Sequence, residues 1–176
     1  MTTFRRNGLA LCALALSVAS GGALADADDD AAHSFSAKLS GFKEAPPVAS
    51  DARGRFRATL HGDTLEYELT LRGFTTLVRF AHIHFGQRGV NGGVMVFLCD
   101  STGGGPSGTP PCPQEPGSVS GHLSAGDVVG PEGQGIAAGD FERFIRALRA
   151  NRGYVNVHSD RVPSGELRGD VRAHDD

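Results

Sequence analysis

Two histidines separated by one residue carry the most distinctive chemistry of this sequence, in Ala81-His82-Ile83-His84. In a β-strand alternate side chains share a face, so His82 and His84 project the same way, about 6.6 Å apart along the chain. Two imidazoles at that spacing can converge on one metal ion. A third histidine ends Val155-Asn156-Val157-His158, where Val155 and Val157 face a core and Asn156 and His158 face away. If that strand pairs with the His-x-His strand, three neutral imidazoles gather on the outer face of the sheet. Such a set suits zinc or copper and leaves one coordination position open. With no spare thiolate on offer, copper fits at least as well as zinc. His61 lies in an expected turn and His122 in a weak strand, and neither is expected to join the set. His33 and His174 sit in the tails.

Charged residues follow on the final expected strand, Glu166-Leu167-Arg168-Gly169-Asp170-Val171. Glu166, Arg168 and Asp170 share its outward phase. Beside the His158 strand, Glu166 or Asp170 would hold an imidazole N–H, and Arg168 would draw in an anion. The competing reading is a charged strand face that keeps a sheet edge soluble. No Gly-x-Ser-x-Gly elbow is present, and Gly103-Gly104-Gly105 lacks the Lys-Ser/Thr and helix of a phosphate loop.

The elements that must position these residues are strands. Phe35, Ala37 and Leu39 alternate with polar residues, as do Phe56, Ala58 and Leu60, and then Leu65, Tyr67, Leu69 and Leu71. The last two runs flank His61-Gly62-Asp63 and read as a hairpin with one wet face. Val94 to Leu98 is apolar throughout, as in a strand buried on both faces. One helix is expected at about 140–150, from the stripe Phe141, Phe144, Ile145 and Leu148, with Asp140 as N-cap and Gly153 as a stop. About seven or eight short strands with Gly/Pro turns and one short helix imply an all-β fold, a Greek-key β-sandwich or barrel.

The beginning of the chain reads as an export signal over 1–25. Arg5 and Arg6 precede an apolar run of about ten residues, too short to span a bilayer, and Ala23-Leu24-Ala25 is a small-x-small cleavage site. Cys12 lies inside the apolar run, without the context of a lipidation site. Residues 26–33 form an acidic, apolar-poor leader expected to be disordered, and 34–173 form one domain. Losing Arg5 and Arg6 makes the net charge of −3 two units more negative. No basic patch is evident, so nucleic acid is not an expected partner. No second apolar run has membrane length, so membrane insertion is not expected. Cys99 and Cys112, in an exported chain, read as a disulfide closing a Gly/Pro loop.

Three segments in order resemble the CHRD (chordin-type) domain family. They are Phe35 to Gly41 with Glu44-Ala45-Pro46-Pro47-Val48; Ala81 to Gly86 with Gly89-Val90-Asn91-Gly92; and Tyr154 to Ser159 with Pro163 to Gly169. The resemblance covers residues 35–172 and implies an extracytoplasmic β-sandwich, with no settled activity. A looser similarity joins Ala81-His82-Ile83-His84-Phe85-Gly86 to the copper-binding His-x-His strand of Cu/Zn superoxide dismutases. It implies His158 as a further ligand and Arg168 as an anion guide. No bridging histidine or zinc-ligand cluster follows, so such a centre would be copper-only. The leading expectation is an exported copper- or zinc-binding domain, with a dismutase-like enzyme and a metal-free structural or adhesion module as alternatives.

Overall fold

The computed structural model describes residues 1–2, 33–114 and 116–174. The expected export signal after Thr2, Cys12, and the acidic leader up to residue 32 lie outside the described residues. Nine strands and one α-helix follow. They are β1 (Ser34–Ser40), β2 (Arg53–His61), β3 (Thr64–Arg72), β4 (Val78–Phe85), β5 (Val94–Asp100), β6 (Gly117–Leu123), α1 (Phe141–Arg149), β7 (Gly153–Ser159), β8 (Leu167–Asp170) and β9 (Arg172–His174).

The strands form one antiparallel sheet in the order β5-β4-β7-β8-β1-β2-β3-β6, with β9 also paired to β1. This non-sequential order is that of a Greek key: β7 enters between β4 and β8, and β6 pairs with β3. The sheet curls until β5 approaches β6. Tyr67 of β3 donates its hydroxyl to the Leu98 carbonyl of β5 across that seam, at 2.6 Å. The result is a nearly closed eight-stranded barrel.

Alternation decides which residues fill it. In β2 and β3 every second residue is buried, and Phe56, Leu65 and Leu69 are fully so. Ala81 and Ile83 of β4 join Val155 and Val157 of β7 in the same core. Helix α1 adds Phe144, Ile145, Ala147 and Leu148 to it. Its N-cap is Asp140, whose carboxylate accepts from the Arg143 N–H at 3.0 Å. The helix ends earlier than the expected Gly153. Asn151 takes the left-handed conformation at φ 55, and Gly153 instead opens β7. A side chain at Gly153 would press on Leu148 Cδ2.

The strand expected over 166–171 is β8, one residue shorter at each end, and a further short strand, β9, follows Val171; β8 and β9 pair with opposite ends of β1. Cys99 and Cys112 are joined as a disulfide. Among the described residues no helix is long and apolar enough to cross a membrane. Strand β7 is buried at all seven positions, on both faces.

Candidate metal centre

β4 lies between β5 and β7, and the β4–β7 register sets the site. Phe80 opposes His158, His82 opposes Asn156, and His84 opposes Tyr154. Because Ala81 and Ile83 are held in the core, His82 and His84 must stand on the opposite face. The same argument through Val155 and Val157 puts His158 on that face. One nitrogen of each of the three histidines lies within 4.8 Å of the others. The His82 ring meets those of His84 and His158 edge-on, each with centroids 5.4 Å apart.

The face away from the core is not open to water, contrary to the expectation of an outward surface. His82 is 6% exposed and His158 9%. Phe97 packs on His82 with centroids at 4.3 Å, and Phe80 on His158 at 4.5 Å. Tyr154 stacks flat on His84 at 4.8 Å. The Gly86–Gly93 loop and the turn at Pro163 close over the sheet here.

Those two segments also orient the rings. His84 Nδ1 lies 2.9 Å from the Gly92 carbonyl oxygen, and His158 Nδ1 lies 2.9 Å from that of Pro163. A carbonyl oxygen only accepts, so each Nδ1 carries the proton and each neutral Nε2 keeps its lone pair. The Nε2 atoms of His84 and His158 are buried without a hydrogen-bond partner, and so are both nitrogens of His82. An unpaired buried polar atom costs about 1–3 kcal/mol. Several in one place are a donor set able to coordinate a metal ion.

Burial also keeps the rings neutral. It pulls the His82 pKa down to about 3, with His84 and His158 adding to the effect and Asp100 opposing it. His84 falls to about 4, again through burial, against the opposing pull of the Gly92 bond. His158 is lowered for the same reason. Neutral imidazole is the form that binds a metal.

The charged residues of the last strand are placed differently from expectation. Glu166 precedes β8 and is 1% exposed. Its carboxylate accepts from Ser50 Oγ at 2.6 Å and from Ser159 Oγ, not from an imidazole. Asp170 pairs with Arg88 at 3.8 Å. The imidazole-orienting positions expected for these carboxylates are filled by backbone carbonyls. Arg168 is also 1% exposed, and its guanidinium donates to the Gln87 and Val90 carbonyls and to Asn91 Oδ1. It clamps the loop that carries Gly92 and offers no face to an incoming anion. Period-two reasoning placed Arg168 and Asp170 on the histidine face, opposite Asn156 and Tyr154, but not Glu166, and it missed the loop that covers that face. His61 and His122 remain exposed, outside the cluster.

An antiparallel Greek-key barrel with three converging, sheltered histidines, two of them held by backbone carbonyls, defines a β-barrel class with a candidate metal-coordinating site. The chain belongs to the CHRD domain family, whose model matches residues 35–171. No curated protein and no solved structure shows a significant match.

Proposed function

We propose that this CHRD domain is an exported metal-binding protein that holds one copper ion, or less readily zinc, through His82, His84 and His158. The observation that carries the reading is the convergence of unpartnered, buried imidazole nitrogens within 4.8 Å. The donor set is neutral and all-nitrogen, which suits copper and zinc over calcium or magnesium. Copper leads by its higher place in the affinity order of divalent ions. The disulfide between Cys99 and Cys112 supports a home in an oxidising compartment, where thiols are not retained as ligands. When bound, copper supplies a Lewis-acidic and one-electron redox centre. The chain contributes ring orientation, through Gly92 and Pro163, and shielding from water, through Phe80, Phe97 and Tyr154. The engagement of Arg168 by the covering loop speaks against a dismutase-like centre steered by that residue.

The test is metal stoichiometry. Untagged protein is loaded with Cu(II) or Zn(II), dialysed, and assayed by elemental analysis. The expected result is one equivalent of copper, lost in a His82→Ala/His84→Ala/His158→Ala variant that still melts cooperatively. Equal copper in parent and variant overturns the reading.

A further inference from the structure

A second feature lies on a different part of the sheet, across β1, β2 and β3. Strand β2 begins Arg53-Gly54-Arg55-Phe56-Arg57, and burial of Phe56 and Ala58 sends the three arginines to the outer face. The register then sets Lys38 of β1 opposite Arg55, and Arg72 of β3 opposite Arg53. Thr70 stands opposite Arg55 and Glu68 opposite Arg57. These side chains line a groove of about 530 Å³. Period two alone puts three arginines of β2 on one face; antiparallel pairing adds Lys38 and Arg72, distant in sequence, and makes the patch.

The arrangement works against the fold's own stability. Like charges directly opposed across a sheet are destabilising. Among the described residues none of these five cations is in an ion pair with a carboxylate. Among the described residues only Arg53 is tied down, by the Ser50 and Ala52 carbonyls at 2.8 and 2.7 Å. The whole chain is net negative at −3, so composition does not account for a cationic groove. Opposed, unneutralised cations in a concave site are the charge complement of an anionic ligand.

We propose that this groove binds a linear acidic polysaccharide, with carboxylates seated on the Arg53–Arg72 and Lys38–Arg55 pairs. Guanidinium groups match carboxylates in a planar, two-pronged geometry. Successive pairs along β2 are about 6.8 Å apart, two residues at 3.4 Å each, so a chain lying along the strand meets them in turn. The rest of the lining selects against a nucleic acid. The outward residues of the groove include no aromatic ring on which a base would stack. Glu68 accepts hydrogen bonds from sugar hydroxyls, which a DNA backbone does not offer, and Thr70 can exchange them. A chain that alternates acid groups with hydroxyls satisfies cations, carboxylate and threonine together.

The probe is a polygalacturonate fragment, titrated against the folded protein by calorimetry over a range of salt. Neutral dextran and single-stranded DNA serve as comparisons. Binding is expected to polygalacturonate, weakening steeply with salt, with none to dextran and weaker binding to DNA. An Arg55→Ser/Arg72→Ser variant should bind about tenfold or more weakly, and its salt slope should fall by roughly one to two. Its melting temperature should equal or exceed the parent's, because opposed like charges are gone. Absent binding at low salt, parent-like binding by the variant, or tighter binding to DNA each overturns the proposal. The triple histidine variant should bind the polysaccharide as the parent does, so this outcome is independent of the metal site.

Discussion

The guanidinium carbon of Arg168 lies 3.4 Å from the centre of the Tyr154 ring, the same ring on which His84 stacks at 4.8 Å. One tyrosine on β7 therefore links a buried cation on β8 to a candidate metal ligand on β4. The cation in turn holds the loop whose Gly92 carbonyl fixes the His84 tautomer. Arg168 is best understood as a positioning residue, acting through this chain of contacts.

Replacing Arg168 with Met should leave the Gln87 and Val90 carbonyls unpaired. The expected cost is about 3 kcal/mol, read as a lower urea midpoint. Copper affinity of the folded variant should fall about 10- to 100-fold, as for other groups that orient a ligand. Lysine should rescue neither property, because it lacks the planar fork. Unchanged copper affinity in a folded Arg168→Met protein would contradict the positioning role.

Gly92 provides a gentler probe of the same link. A side chain there would overlap the carbonyl oxygen of Phe85, so alanine must displace the loop. His84 Nδ1 then loses its acceptor. Gly92→Ala should weaken copper binding about tenfold. An identical change at Gly62, where no atom lies within 4 Å of the new Cβ, should leave binding alone and cost only backbone strain at φ 60.

The metal-free protein should lose stability in acid over a defined window. His82 and His84 titrate near 3 and 4 when folded, against 6.5 for the free side chain, and His158 is shifted the same way. The unfolded chain binds more protons in that range. Their contribution is therefore complete above about pH 6.5 and is lost as the pH falls toward 3. Glu44 opposes this. Burial raises its carboxyl from 4.5 to about 7, so its contribution is present below 4.5 and lost as the pH rises to 7. Urea midpoints measured from pH 4.5 to 7 should rise with pH, and rise more steeply in Glu44→Gln. A flat profile in the parent, combined with no steepening in the variant, would count against neutral buried rings.

Opening the disulfide should cost about 3 kcal/mol on the chain-entropy account for a loop of this size. The Cys99→Ser/Cys112→Ser protein should melt at a lower temperature than the oxidised parent. Adding reductant should lower the parent's melting temperature and leave the variant's unchanged. A reductant-insensitive parent would show that the bridge adds no stability.

Much of the site was legible because strands have a period of two. The runs around His82, His84 and His158 assign all three to the face opposite Ala81, Ile83, Val155 and Val157, and the structure agrees. The Cys99–Cys112 bridge and the helix over Phe141–Arg149 also follow from local signals. Period says which face a residue takes, but not what lies over that face. The covering Gly86–Gly93 loop, the Asn156 bond to Glu44 at 2.5 Å, and the turn of Glu166 toward Ser50 all join residues far apart in the chain. No repeating pattern records them. For the same reason the charged phase of Arg168 looked like solvent, and the arginine groove on β2 looked like nothing.

The double burial of β7 bears on how such a chain can change over generations. Its odd and even letters serve two different interiors, valines for one and tyrosine, asparagine and histidine for the other. A one-residue insertion or deletion within it would exchange the two sets wholesale. That strand can drift by substitution but not by length, so any tolerated indels should collect in the loops that flank it.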